Sequence, residues 1–239
     1  MRNRHWIVTL TASIAAVTAG AAPAQATNWE TVAVWSMDEP AGARVMEDSS
    51  GNGLHGGIGS EVFTGRSAGS SQGYGFGRLE PDTPPARPAH LVVVPDYAAL
   101  DPGDRDYAVS LRLRTRNQFG NVIQKGQATV AGGSFKMQIP GGKVQCWFRG
   151  SAGQVLVTAP RPINDGDWHT VMCMRYRSGV SVLIDGVTAA SKPGATGTIS
   201  NAWPLSIGGK TTCDQIEVGC DYFGGDVDWV KIHAAGYDW

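Results

Sequence analysis

The chain has 239 residues, 20 basic against 21 acidic side chains and a formal net charge of −1, with 32 glycines and four cysteines. No basic block stands out, so neither nucleic acid nor an anionic membrane surface is an expected partner. The length suffices for one all-β domain that buries a core between two sheets.

Residues 1–26 read as a cleaved export leader. Arg2 and Arg4 supply a positive start, Trp6 to Ala22 is apolar, and Ala24-Gln25-Ala26 places small residues where a signal peptidase reads. The apolar run is short for a bilayer span and is diluted by Thr, Ser and Gly. Residues 27–239 are then expected to form a single secreted, extracellular domain. The first cysteine is Cys146, so no cysteine stands at the cleavage site to carry a lipid.

The remainder shows short β-rich runs separated by Gly, Pro, Asn and Asp. Thr31–Met37 is the first expected strand, followed by a polar, Gly-rich turn through Val45–Gly53. Leu54–Val62 is a weak strand candidate. Residues 65–87, with Ser-Ala-Gly-Ser-Ser and Pro-Asp-Thr-Pro-Pro, read as a long surface loop. His90–Val94 is apolar and strand-like. Tyr107–Arg116 alternates cleanly: Tyr107, Val109, Leu111 and Leu113 face inward, while Arg112 and Arg114 face solvent. Gly120–Lys125, Ser134–Ile139, Lys143–Arg149, Gln154–Thr158 and Pro204–Ile207 continue the pattern, and Tyr222–His233 closes it.

The strongest local signal is Asp167–Ser191, DWHTVMCMRYRSGVSVLIDGVTAAS. It reads as a three-stranded meander of Trp168–Tyr176, Val180–Ile184 and Val187–Ala190. Its first gap, Arg177-Ser178-Gly179, suits a three-residue loop with Gly at positive φ; the second, Asp185-Gly186, suits a type I′ turn.

An exported chain favours disulfides, and four cysteines allow three pairings. Cys146 and Cys173 lie inside expected strands and Cys213 and Cys220 flank a polar loop, so Cys146–Cys173 with Cys213–Cys220 is the economical choice. A four-thiolate metal site would want a C-x-x-C pair, and the chain has none.

In this order the segments VWSMDEPAGARVMEDSSGNGLHG, YAVSLRLRT, DWHTVMCMRYRSGVSVLIDGV and FGGDVDWVKIH resemble a laminin G-like domain of the concanavalin A-like lectin/glucanase superfamily. The resemblance runs from about residue 31 to residue 235. It implies an all-β fold, a two-sheet antiparallel jelly-roll β-sandwich. It also implies a structural Ca²⁺ held by Asp48 and Asp228, with Asn52 or nearby carbonyls adding oxygen ligands. The alternative is that Asp48 makes an Asx turn and Asp228 accepts backbone N–H bonds.

Trp168 reads as a core residue at a strand start, and His169 as structural, because no carboxylate partner is identifiable. Retaining glycoside hydrolysis needs two carboxyl groups about 5 Å apart. The superfamily's Glu-x-Asp-x-x-Glu-type strand is absent, and the nearest sets are Asp214/Glu217 and Asp226/Asp228. For a sugar-binding surface, Trp147 is placed outward if Cys146 points to the core, with Arg149 beside it; Trp203 and Tyr222 fall in loops. The expected function is therefore a non-catalytic, secreted binding module for a carbohydrate or an extracellular protein. The alternatives are a glycan-cleaving enzyme (glycoside hydrolase or polysaccharide lyase) and a structural or adhesive surface module.

Overall fold

In the computed structural model, residues 28–213 and 219–235 are described, and the leader segment lies outside them. Two antiparallel sheets of eight strands each stack face to face as a jelly-roll sandwich. The first sheet contains β1 (Trp29–Trp35), β4 (Phe63–Ser67), β5 (Gln72–Phe76), β7 (Tyr107–Arg114), β12 (His169–Tyr176), β13 (Gly179–Ile184), β14 (Val187–Pro193) and β16 (Gly225–Ala235). The second contains β2 (Val45–Met46), β3 (Gly56–Ile58), β6 (Val92–Val94), β8 (Asn121–Lys125), β9 (Ser134–Gln138), β10 (Gln145–Gly150), β11 (Gly153–Thr158) and β15 (Leu205–Ile207).

β16 is central to the first sheet. One of its edges pairs with β7, while the other is shared between β5, at Gly225–Val227, and β1, at Val230–Ala235. The alternation read in β7 holds: Tyr107, Val109, Leu111 and Leu113 are buried in the core between the sheets. They meet Phe135, Met137, Cys146 and Phe148 from the second sheet. Trp35 is wholly buried, and its indole N–H donates to the Leu54 carbonyl at 2.8 Å, so the ring's one polar atom is satisfied inside the core.

Both expected disulfides are present, Cys146–Cys173 and Cys213–Cys220. The first ties β10 of one sheet to β12 of the other. The second closes around residues 214–218, which lie outside the described residues, and packs with Leu91 and Tyr222 in a small second core.

Two local readings change. The stretch 65–87 is not all loop, because β5 forms within it as Gln-Gly-Tyr-Gly-Phe. Its glycines hide the apolar pattern, yet they are what lets it pair. A Cβ at Gly73 would lie 2.6 Å from the Val227 carbonyl oxygen. The first hairpin of the meander is also tighter than expected, since Tyr176 pairs directly with Gly179 and only Arg177 and Ser178 form the loop. Gly179 serves a different need from a turn: a Cβ there would lie 2.6 Å from the Lys192 carbonyl oxygen on β14. The second hairpin is as expected, with Asp185 and Gly186 at φ 51° and 79° between the paired Ile184 and Val187.

Candidate ligand-binding face

Trp147 lies mid-β10, where inward Cys146 and Phe148 alternate with outward Gln145, Trp147 and Arg149. The strand register therefore puts three rows of side chains on the outer face of the second sheet. One row runs Gln138, Gln145, Thr158; the next Gln124, Lys136, Trp147, Leu156; the third Ser134, Arg149, Gln154. None of these side chains is acidic.

The first row is a hydrogen-bonded ladder. Gln138 Nε2 donates to Gln145 Oε1, and Gln145 Nε2 donates to Thr158 Oγ1 at 2.8 Å. Asn121 Nδ2 donates to Gln124 Oε1 on the same face. In the second row the Lys136 ammonium lies 4.4 Å from the Trp147 ring centroid, a cation–π contact. In the third, Arg149 Nη2 donates to the carbonyls of Gln127 at 3.0 Å and Val130 at 2.8 Å, which folds the β8–β9 loop onto the sheet.

Four buried polar atoms on this face have no protein partner: Trp147 Nε1, Arg149 Nε, Gln138 Oε1 and Asn121 Oδ1. Two are donors and two are acceptors. A buried polar group without a partner costs roughly 1–3 kcal/mol, so such atoms gathered on one face mark a surface built to be completed by something else. A recess of about 20 Å³ lies beside Trp147, Lys136, Gln124 and Gln127. That holds about one water, so any larger ligand lies across the face and does not enter it.

The other residues singled out in the sequence lie elsewhere. Trp203 precedes β15, half-buried, with its carbonyl accepting from Lys125 Nζ at 2.9 Å. Tyr222 is not an exposed loop ring: it is 1% exposed, and its hydroxyl accepts from Arg87 N–H at 2.7 Å. The loop that begins at Leu79 covers it, with Leu79 and Ala86 packed against its cluster.

The residues expected to hold calcium do not fit a cation. Asp48 Oδ1 accepts from Val34 N–H at 3.0 Å and Ser50 N–H at 2.9 Å; its Oδ2 accepts from Ser50 Oγ at 2.8 Å and Leu54 N–H at 3.0 Å. Its four acceptor sites are thus filled. Burial pushes this carboxyl's pKa up, but those donors outweigh it and hold the group below the ordinary carboxylate range. Asn52 turns its amide N–H₂ toward the Thr31 and Val32 carbonyls. Asp228 is engaged by Arg112 Nη1 at 2.5 Å and Ser71 Oγ at 2.8 Å. Asp48 therefore makes the Asx turn, while Asp228 is an ion-pair partner and not a backbone acceptor. Among the described residues no group of three or more His, Cys, Asp and Glu side chains is placed to hold a metal.

Trp168 is not a core residue. It is half-buried on the outer face of the first sheet, with the Arg112 and Arg114 guanidinium carbons 4.7 and 4.8 Å from its ring centroid. The same arginines bind Asp228 and Asp226, Arg114 Nε lying 2.8 Å from Asp226 and Arg66 Nε 3.3 Å. Asp226 and Asp228 are therefore taken up in an ion-pair ladder, and Asp214/Glu217 lie outside the described residues. His169 does have carboxylate partners: Nδ1 is 2.8 Å from Asp185 and Nε2 3.3 Å from Asp165. The turn at Asp185 brings back a carboxylate sixteen residues away, which linear spacing conceals.

The sequence reading missed Gln124, Gln138, Gln145 and Lys136 as members of the face. Their signal was strand parity with Trp147, available once the register of β9 and β10 is known.

The fold and this face correspond to a known class. The family model described as the concanavalin A-like lectin/glucanases superfamily, of laminin G type, matches residues 89–235, and the chain belongs to that family. Among solved structures, domain 4 of AbnA, a GH43 extracellular arabinanase from Geobacillus stearothermophilus in complex with arabinotriose, is similar at 16% identity, covering 87% of this chain and 94% of that one, TM-score 0.60. The binding domain of Paraclostridial Mosquitocidal Protein 1 is similar at 11% identity, over 86% of this chain and 48% of that one, TM-score 0.57. Domains LG4-5 of the mouse laminin α1 chain match at 19% identity, over 53% of this chain and 35% of that one, TM-score 0.46. The chain thus spans about a third of the laminin pair and about half of the mosquitocidal domain. No curated protein sequence matches this chain.

Proposed function

We propose that this protein is a secreted, non-catalytic binding module that recognises a carbohydrate across the outer face around Trp147. The observation that carries this is the gathering there of two unpartnered donors and two unpartnered acceptors beside an indole and an amide ladder. Sugar hydroxyls donate and accept at once, so one ligand can complete both kinds of atom, while C–H faces pack on the ring. A face without carboxylates has no general acid or nucleophile for hydrolysis, so binding is the better reading. An arabinanase domain solved with arabinotriose has this fold, which supports a sugar as the ligand class. Two disulfides and the leader read at residues 1–26 support an exported, extracellular location.

A glycan array with the oxidised full chain tests this, followed by affinity electrophoresis in the polysaccharides that score. The expected result is retention that Trp147→Ala reduces at least tenfold and Trp229→Ala leaves unchanged. Retention by no glycan, or equal retention of the Trp147→Ala variant, overturns it; capture of a purified matrix protein in its place would assign the face to a protein partner.

A further inference from the structure

The side chain of Lys125 is fully buried at the end of β8. It has the inward parity of Ile123, which a lysine in a sandwich would not ordinarily take. Five oxygens converge on its ammonium. Asp96 Oδ1 and the Asn201 carbonyl are at 2.7 Å, the Trp203 carbonyl at 2.9 Å, Asp101 Oδ1 at 3.0 Å and Asn201 Oδ1 at 3.5 Å.

Three segments supply them: the turn after β6 that carries Asp96 and Asp101, β8 itself, and the approach to β15 through Asn201–Trp203. Strand register brings these together, because Leu205 pairs with both Val94 and Lys125.

An ammonium has three N–H bonds, so five oxygens exceed what hydrogen bonding alone requires. The set is a mixture of carboxylate, backbone carbonyl and side-chain amide oxygen, the donor chemistry that hard cations take. Two carboxylates against one positive charge also leave the cage one unit negative.

We infer that the Lys125 ammonium is the internal cation of this sandwich, standing in for a divalent ion, and that the cage around it is a latent calcium site which the lysine keeps closed. The inference is independent of the glycan reading. Calcium bonds oxygen at about 2.3–2.6 Å, so the four nearer oxygens need to close in by only a few tenths of an ångström once the side chain is gone. Magnesium, at about 2.0–2.1 Å with strict octahedral geometry, asks for a larger collapse.

Melting curves of the oxidised full chain, with calcium, magnesium or chelator, test this in the wild type and in Lys125→Ser, Lys125→Met and Lys125→Ser/Asp96→Asn. The wild type is expected to melt identically in calcium and chelator. In chelator, Lys125→Ser should melt lower by on the order of 10 °C, since a buried ion pair has lost its cation. Millimolar calcium should restore at least half of that and magnesium less. Lys125→Met, whose stem fills the hole, and the double variant should gain nothing from calcium. If Lys125→Ser does not fold in chelator, it is refolded from denaturant with calcium and should then recover native circular dichroism. The inference is overturned if the wild type responds to calcium or if Lys125→Ser keeps wild-type stability in chelator. It is equally overturned if calcium fails to rescue Lys125→Ser, or rescues the double variant as well.

Discussion

His169 Nδ1 lies 2.8 Å from Asp185 Oδ2, and Asp185 also accepts from the Thr170 N–H at 2.9 Å through its other oxygen. The imidazole therefore joins the start of β12 to the positive-φ turn that ends β13. Burial alone pushes the His169 pKa down, but the hydrogen bonds and charges of Asp185 and Asp165 outweigh it, and the net shift is upward from 6.5. A histidine with a raised folded-state pKa stabilises fully below its unfolded value and loses that contribution as pH rises through the folded value. His233 works the other way: burial and Lys231 lower its pKa from 6.5, so it destabilises as pH falls below that value. The difference in melting temperature between wild type and His169→Gln isolates the first effect. It is expected to be largest near pH 5.5 and to shrink as pH rises through and above 6.5. A difference that is flat from pH 5.5 to pH 8.5 would contradict the pairing.

Trp168→Ala separates a surface stack from a core residue. Removing a core Trp costs about 3–5 kcal/mol, whereas losing cation–π contacts at a partly exposed site costs about 1–2 kcal/mol. Urea unfolding of Trp168→Ala is expected to give the smaller figure, with the far-UV spectrum unchanged.

The Cys146–Cys173 bond closes a loop with a sequence separation of 27. The chain-entropy relation gives about 3.5 kcal/mol for such a loop, as a model-dependent figure. A Cys146→Ala/Cys173→Val variant should lose stability of that order in guanidinium unfolding, and reductant should then lower it little further. A loss below about 1 kcal/mol would show that packing alone holds the sheets in place.

Gln145 is the middle of the amide ladder. Gln145→Ala leaves Gln138 Nε2 and Thr158 Oγ1 without the partners they have now. A stability loss of about 1 kcal/mol is expected. If sugars lie across the ladder, retention in the affinity gel should fall several-fold as well, more than the same substitution at Gln154 on the sheet's edge strand. Equal effects at the two positions would move the ligand away from the ladder.

Much of the fold was legible in the chain because its strands alternate. Tyr107–Arg114 declared both faces, and Asp185-Gly186 declared its turn. What escaped depends on neighbours remote in sequence. β5 is glycine-rich because β16 passes close to it, and nothing in Gln-Gly-Tyr-Gly-Phe alone says so. Gly179 looked like a turn residue and is a contact residue. Trp168 and Tyr222 exchanged roles: the strand-start tryptophan is stacked outside under two arginines, and the loop tyrosine is inside a second core. The site was half legible. Trp147 and Arg149 follow from the parity of one strand, but the glutamine ladder appears only when three strands are set in register. Lys125 sits in an apolar run, and its cage comes from segments up to 78 residues away.

Cys146 and Trp147 are adjacent residues whose side chains leave β10 in opposite directions, one bonded to the far sheet and the other on the outer face. The covalent tie therefore lies directly behind the indole. A rigid backing lowers the conformational entropy that a partner must remove on docking, and here that backing exists only in the oxidised chain. The face around Trp147 reaches its full rigidity once the protein has left a reducing compartment, so thiol oxidation and readiness to bind are one event in its maturation.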